Sequence, residues 1–112
     1  MTRDDGAAVC EACVVADTSP TRARGLLGRS ELPPGEGLLL RPASSIHTFF
    51  MRFPIDAVFL DRELLVLKVV AELSPWRVAG ARGAKSVLEL AAREAERRGI
   101  RPGDRLSLSS TS

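Results

Sequence analysis

Seven apolar runs of strand length, separated by turn chemistry, constrain this chain more than any other feature. They are Ala7–Ala16, Gly37–Arg41, Ile46–Met51, Ala57–Leu60, Leu64–Leu73, Ser86–Leu90 and Arg105–Leu108. Between them stand Pro33-Pro34-Gly35, Asp61-Arg62-Glu63 and Pro102-Gly103-Asp104, residue types that set turn dihedrals or bond their own backbone. Runs this short, rich in β-branched and aromatic residues, read as strands. None approaches the ~18 apolar residues of a membrane helix. The longest candidate, Leu64 to Ala71, is interrupted by Lys68.

Helical signals are few. Ser19-Pro20 offers a hydroxyl N-cap followed by proline at the first helical position, so a short helix is predicted from Pro20 to about Leu27, closed by Gly28. Ala91–Arg98 has the best helical propensity and is stopped by Gly99. No strand–helix–strand alternation exists, which excludes a doubly wound sheet. Ser74–Lys85, with Pro75, Trp76 and two glycines, reads as a long surface loop. Short turns between sequence neighbours favour antiparallel pairing. The expectation is a mainly β domain, an antiparallel sandwich or partly closed barrel with two short helices.

At 112 residues, 45% hydrophobic and 27% charged, the chain fits one domain able to bury roughly two-thirds of its unfolded surface. The core is expected over about 9–108, with 1–6 and 109–112 frayed. The net charge is +2, and 14 of the 16 basic residues are arginine, leaving Lys68 and Lys85. Because the arginines are scattered among acids along the sequence, the clustered patch of a nucleic-acid binder is not visible. Asp4 and Asp5 stand where a signal peptide would carry positive charge, and no apolar core follows, so a cytoplasmic location is expected.

Cys10 and Cys13 form one CxxC. Residues three apart on a strand point to opposite faces, so they are expected to be free thiols and small buried hydrophobes. A zinc site would need two more ligands, and His47 is the only histidine. No metal or cofactor is expected. If the His47 strand formed a hairpin with the Asp56 strand, the two side chains would lie roughly 13–14 Å apart, too far for a hydrogen bond. Glu72 or Glu89 remains a possible acid partner for His47. Asp56 and Asp61 flank a strand and read first as turn-formers. Arg24 and Arg52 suit an anion. Trp76, in a Pro-Trp-Arg loop, marks a contact or covers the end of the core. There is no nucleophile elbow, P-loop or dinucleotide fingerprint.

Several separated segments together resemble one bacterial and archaeal family. They are Thr21-Arg22-Ala23-Arg24-Gly25-Leu26-Leu27-Gly28-Arg29, Gly37–Leu40, the block from Ile46 to Asp56, Phe59–Asp61, Val87–Leu90, Gly99-Ile100 and Gly103-Asp104. The order and spacing are similar to the domain of unknown function 192, over about Cys10 to Leu108. The resemblance implies a compact β-sandwich or barrel of jelly-roll-like character and no established reaction. Many relatives carry a signal peptide or lipoprotein leader.

The function expected is a binding or accessory domain for a small molecule or a protein segment. Arg24, His47, Arg52, Asp56 and Trp76 are its candidate site residues. The rival is a hydrolase-like enzyme with His47 as acid or base and Arg24 or Arg52 holding an anionic substrate. A third reading, weak nucleic-acid binding, requires one contiguous arginine face.

Overall fold

The computed structural model describes residues 1–16, 31–49 and 51–108. The strands are β1 (Thr2–Arg3), β2 (Ala12–Ala16), β3 (Glu36–Leu40), β4 (Ser45–His47), β5 (Ile55–Leu60), β6 (Val66–Leu73), β7 (Val78–Gly80), β8 (Ser86–Ala91) and β9 (Leu106–Ser107). One helical turn, α1 (Glu94–Arg97), separates β8 from β9. The domain is mainly β, as its turn-punctuated apolar runs predict. The predicted helix over Pro20 to Leu27 lies outside the described residues. The second one shrinks to α1, because Ala91 is still paired with Ile55 and ends β8. No helix among the described residues is long and apolar enough to cross a membrane.

A five-stranded sheet ordered β2-β3-β8-β5-β6 forms the centre, with two-stranded ribbons β4-β7 and β1-β9 apart from it. The sheets do not close into a barrel. The sheet is also mixed, since β2 and β3 run parallel, while the other pairs are antiparallel. The connection from Ala16 to Glu36 is long enough for a crossover, so sequence adjacency did not force a hairpin there.

Every residue of β5 and β8 is buried, the polar Asp56, Ser86 and Glu89 included, so both strands are covered on both faces. One face gathers Leu38, Leu40, Ile55, Ala57, Phe59 and Val87 against Ile46 of β4 and Met51. The other gathers Leu39, Val58, Leu60, Leu88 and Leu90 against the N-terminal segment, Ala95 of α1, Ile100 and Leu106. The β4-β7 ribbon and the helix therefore cover opposite faces of the sheet.

Two expectations are corrected by strand edges. The His47 strand does not form a hairpin with the Asp56 strand, because β6 and β8 occupy both edges of β5. It pairs instead with β7, His47 opposite Val78 and Ser45 opposite Gly80. The segment Ser74–Lys85, expected as a loop, thus supplies a strand. That strand was hidden because it is only three residues long and is defined by its partner.

The cysteines are also corrected. Cys10 and Cys13 are joined in a disulfide with their Cα atoms 5.9 Å apart, inside the range a disulfide spans. Cys10 precedes β2, so the strand alternation expected to separate the two side chains does not apply. The pair packs beside Gly37. That glycine is an ordinary strand residue whose constraint is contact. A Cβ there would lie 3.0 Å from Leu90 Cδ2 and 3.1 Å from Cys10 Sγ. Gly37→Ala is expected to cost about 1–3 kcal/mol through overpacking, read as a lower denaturant midpoint. An unchanged midpoint would show that the neighbours yield freely.

Candidate functional site

The run from Ile46 to Phe49 alternates between inside and outside, and Met51 is buried again. Ile46, Thr48 and Met51 are buried, whereas His47 and Phe49 are exposed. Thr48 has no accessible surface and holds two segments together. Its hydroxyl donates to the Ser74 carbonyl at 2.7 Å and accepts the Arg77 N–H at 2.8 Å. Its backbone N–H donates to the Arg77 carbonyl, and its carbonyl accepts the Trp76 N–H at 2.9 Å. Such a fully engaged buried hydroxyl is costly to remove. Nothing in the sequence distinguished Thr48 from the chain's other hydroxyls, because its partners lie 26 and 29 residues away.

The clamp fixes a column of rings. Trp76 sits at a left-handed φ of 66°, a conformation rare for bulky residues and sustained only by its surroundings. Here the bond to the Thr48 carbonyl supplies that support. The Trp76 ring stacks on Phe49 at 5.8 Å, and Phe49 lies 4.9 Å from the His47 ring, with interplanar angles of 27° and 32°. Phe49 is 36% exposed, Trp76 56% and the adjacent Val78 66%. Apolar side chains this open, contiguous and backed by rigid backbone mark a contact surface more than a packing defect.

His47 Nδ1 accepts the Phe49 backbone N–H at 3.2 Å, which leaves the proton of the neutral ring on Nε2. No carboxylate bonds His47 among the described residues. Glu72 pairs with Arg93 at 3.2 Å. Glu89 is buried at the centre of the sheet, opposite Leu38 and Ala57.

Asp56 lies on the far side of the sheet from these rings. It is fully buried. Its Oδ1 accepts the N–H groups of Glu72 at 2.9 Å and Arg93 at 3.0 Å, and its Oδ2 accepts that of Ala95 at 2.8 Å. Glu72 and Arg93 both have left-handed φ, 52° and 76°. The register of β5 and β6 shifts at this point, between Ile55 and Ala57. Asp56 thus collects N–H groups released by a bulge in β6 and by the entry to α1. A carboxylate saturated this way holds backbone and does not bind a ligand. Asp61 is the turn-former expected, accepting from the Glu63 and Leu65 N–H groups.

Of the five residues predicted for a site, the structure brings His47 and Trp76 into one surface through Phe49. Arg52 is exposed in the turn that follows Met51. Asp56 is separated from them by the sheet, and Arg24 lies outside the described residues. No group of three or more His, Cys, Asp or Glu side chains suited to a metal occurs among the described residues.

Fold and surface define a small mainly β domain carrying an exposed aromatic ribbon on one face of its central sheet. The family described as "Uncharacterized ACR", the domain of unknown function 192, matches residues 1–108, and the chain belongs to that family. The chain is similar to a UPF0127 protein of Pyrococcus abyssi, 38% identical over 82 residues, or 67% of either chain. It is also similar to the crystal structure of a protein of unknown function from Novosphingobium aromaticivorans. That likeness has a TM-score of 0.78 at 29% identity over 86% of this chain and 74% of the other. A second crystal structure, from Sinorhizobium meliloti, shares the fold with a TM-score of 0.78 at 24% identity, over 85% of this chain and 79% of that one.

Proposed function

We propose that this domain is a binding module whose contact surface is the column His47–Phe49–Trp76 with Val78 beside it. In this reading the five-stranded sheet and the β4-β7 ribbon act as a sandwich-like scaffold for that surface. The observation that carries the reading is the column itself, three exposed rings in successive contact, inclined by 32° and 27°, on backbone locked by a buried threonine. A surface organised before binding loses little conformational freedom on association. The acid–base rival has less support, because the Nδ1 atom of His47 is held by a backbone N–H and no carboxylate bonds the ring among the described residues.

A screen of small aromatic and aliphatic fragments, followed by amide chemical shifts, tests this reading. The shifts are expected to concentrate at 47–49 and 76–78 and to disappear in the Phe49→Ala, Trp76→Ala double variant. Since Trp76 and Phe49 are exposed, that variant is expected to lose no more than about 1 kcal/mol of stability. Shifts confined to another part of the molecule would refute the assignment.

A further inference from the structure

The ribbon that carries the rings also segregates charge. Segments 41–55 and 73–88, which contain β4, β7 and the turns around them, hold none of the chain's 14 acidic residues. They hold Arg41, Arg52, Arg77, Arg82 and Lys85. Arg52, Arg77, Arg82 and Lys85 are all exposed, and none of the four makes a salt bridge among the described residues. The ion pairs identified among the described residues involve other arginines. Arg98 pairs with Glu11 and Glu94, Arg97 with Glu94, Arg3 with Asp5 and Asp104, Arg93 with Glu72, and Arg105 with Glu63. Among the described residues, five arginines are therefore paired with acids away from the ribbon, whereas Arg52, Arg77 and Arg82 on its segments meet none.

The cations belong to the same two segments as the rings. Arg77 adjoins Trp76 and is tied to Thr48 through both its N–H and its carbonyl. Arg52 follows the turn closed by the Met51 N–H to Thr48 carbonyl bond. Arg82 lies in the turn after β7, and the carbonyl of Lys85 accepts the Ala43 N–H before β4. The two paired segments thus carry both the exposed rings and four exposed cations that make no salt bridge among the described residues.

Resting on the binding-module reading above, we infer that this face takes single-stranded nucleic acid, with bases stacking on the ring column and backbone phosphates meeting the arginines of the same segments. Stacking suits every base and gives sequence-tolerant binding, and guanidinium forks suit phosphate oxygens. An acidic peptide would satisfy the arginines but bring few flat groups to the column. A membrane-inserting patch would direct apolar tips outward, whereas these rings contact one another, with polar His47 at one end. Duplex bases are already stacked and offer the rings no face.

Trp76 is the chain's only tryptophan, so its fluorescence reports this face alone. Titration of the full chain with a thymidine oligonucleotide of about twelve bases is expected to quench that emission, with affinity falling steeply as salt rises. Arg77→Glu with Arg82→Glu is expected to weaken binding at least tenfold while the melting temperature stays near that of the parent. Phe49→Leu, which keeps the charge and removes a ring, is expected to weaken quenching with little change in the salt slope. The inference is overturned if the oligonucleotide leaves Trp76 emission unchanged up to about 100 µM, the weak end of non-specific affinities. It is overturned equally if polyglutamate, duplex DNA or phosphatidylglycerol vesicles change the emission and the single strand does not; the binding-module reading then stands. Absence of any response to these probes, together with a failed fragment screen, removes both.

Discussion

Replacing Asp56 by asparagine is expected to destabilise this domain by about 3 kcal/mol, the largest loss from any isosteric change in it. The carboxylate is buried and receives three backbone N–H groups, from Glu72, Arg93 and Ala95. Hydrogen bonds to a charged acceptor contribute more than neutral ones, about 1.5–3 kcal/mol each. Asparagine keeps one oxygen and turns a donor toward an N–H that needs an acceptor. The lost bond leaves a buried N–H unpaired and weakens support for the left-handed backbone at Glu72 and Arg93. Chemical denaturation measures the loss, and a midpoint within error of the parent would show that Asp56 is not the clamp described. Because Asp56 and the ring column lie on opposite faces of the sheet, folded Asp56→Asn protein is expected to keep its fragment response at 47–49 and 76–78.

Glu89→Gln is expected to act in the opposite direction. Glu89 lies inside the sheet opposite Leu38 and Ala57, with no hydrogen bond or ion pair among the described residues. Burial pushes its carboxyl up from 4.5 to about 7. The folded state therefore holds this proton more tightly than the unfolded chain does. Stability is highest, as far as Glu89 decides it, below the unfolded value, and it declines as pH rises toward and through about 7. The full difference amounts to about 3 kcal/mol. Glutamine removes the ionisation, so Glu89→Gln is expected to be more stable than the parent at pH 8, by up to about 3 kcal/mol, and to flatten the decline.

Glu94 opposes this trend at lower pH. Hydrogen bonds from Arg97 and Arg98 hold its carboxyl at about 2, so its contribution is present above 4.5 and is lost as pH falls toward about 2. As far as these two carboxyls decide it, stability is highest on the acid side of neutrality. Melting temperatures of both proteins across the pH range provide the check, and parallel profiles would show that Glu89 is not the cause.

The sequence alone determined the β class, most strand positions and the turns. Residues such as Asp61 and Gly99 act through their own neighbours, and runs such as Ala57–Leu60 and Ser86–Leu90 are apolar enough to need burial in any arrangement. His47 and Trp76 also stood out, as the sole histidine and the sole tryptophan. Only the tertiary structure decided which strands pair, because each strand has two edges and the occupation of both edges of β5 sends β4 to β7. It also decided what the marked residues do. Asp56 was legible as a strand-flanking acid, but its three N–H partners are 16, 37 and 39 residues away. Thr48 and Phe49 acquire their roles from a segment nearly thirty residues further on, which sequence order does not place beside them. The same holds for charge. The acid-free segments 41–55 and 73–88 can be read from the sequence, but only the fold pairs their strands β4 and β7 with each other, while Arg3, Arg93, Arg97, Arg98 and Arg105 meet acids elsewhere.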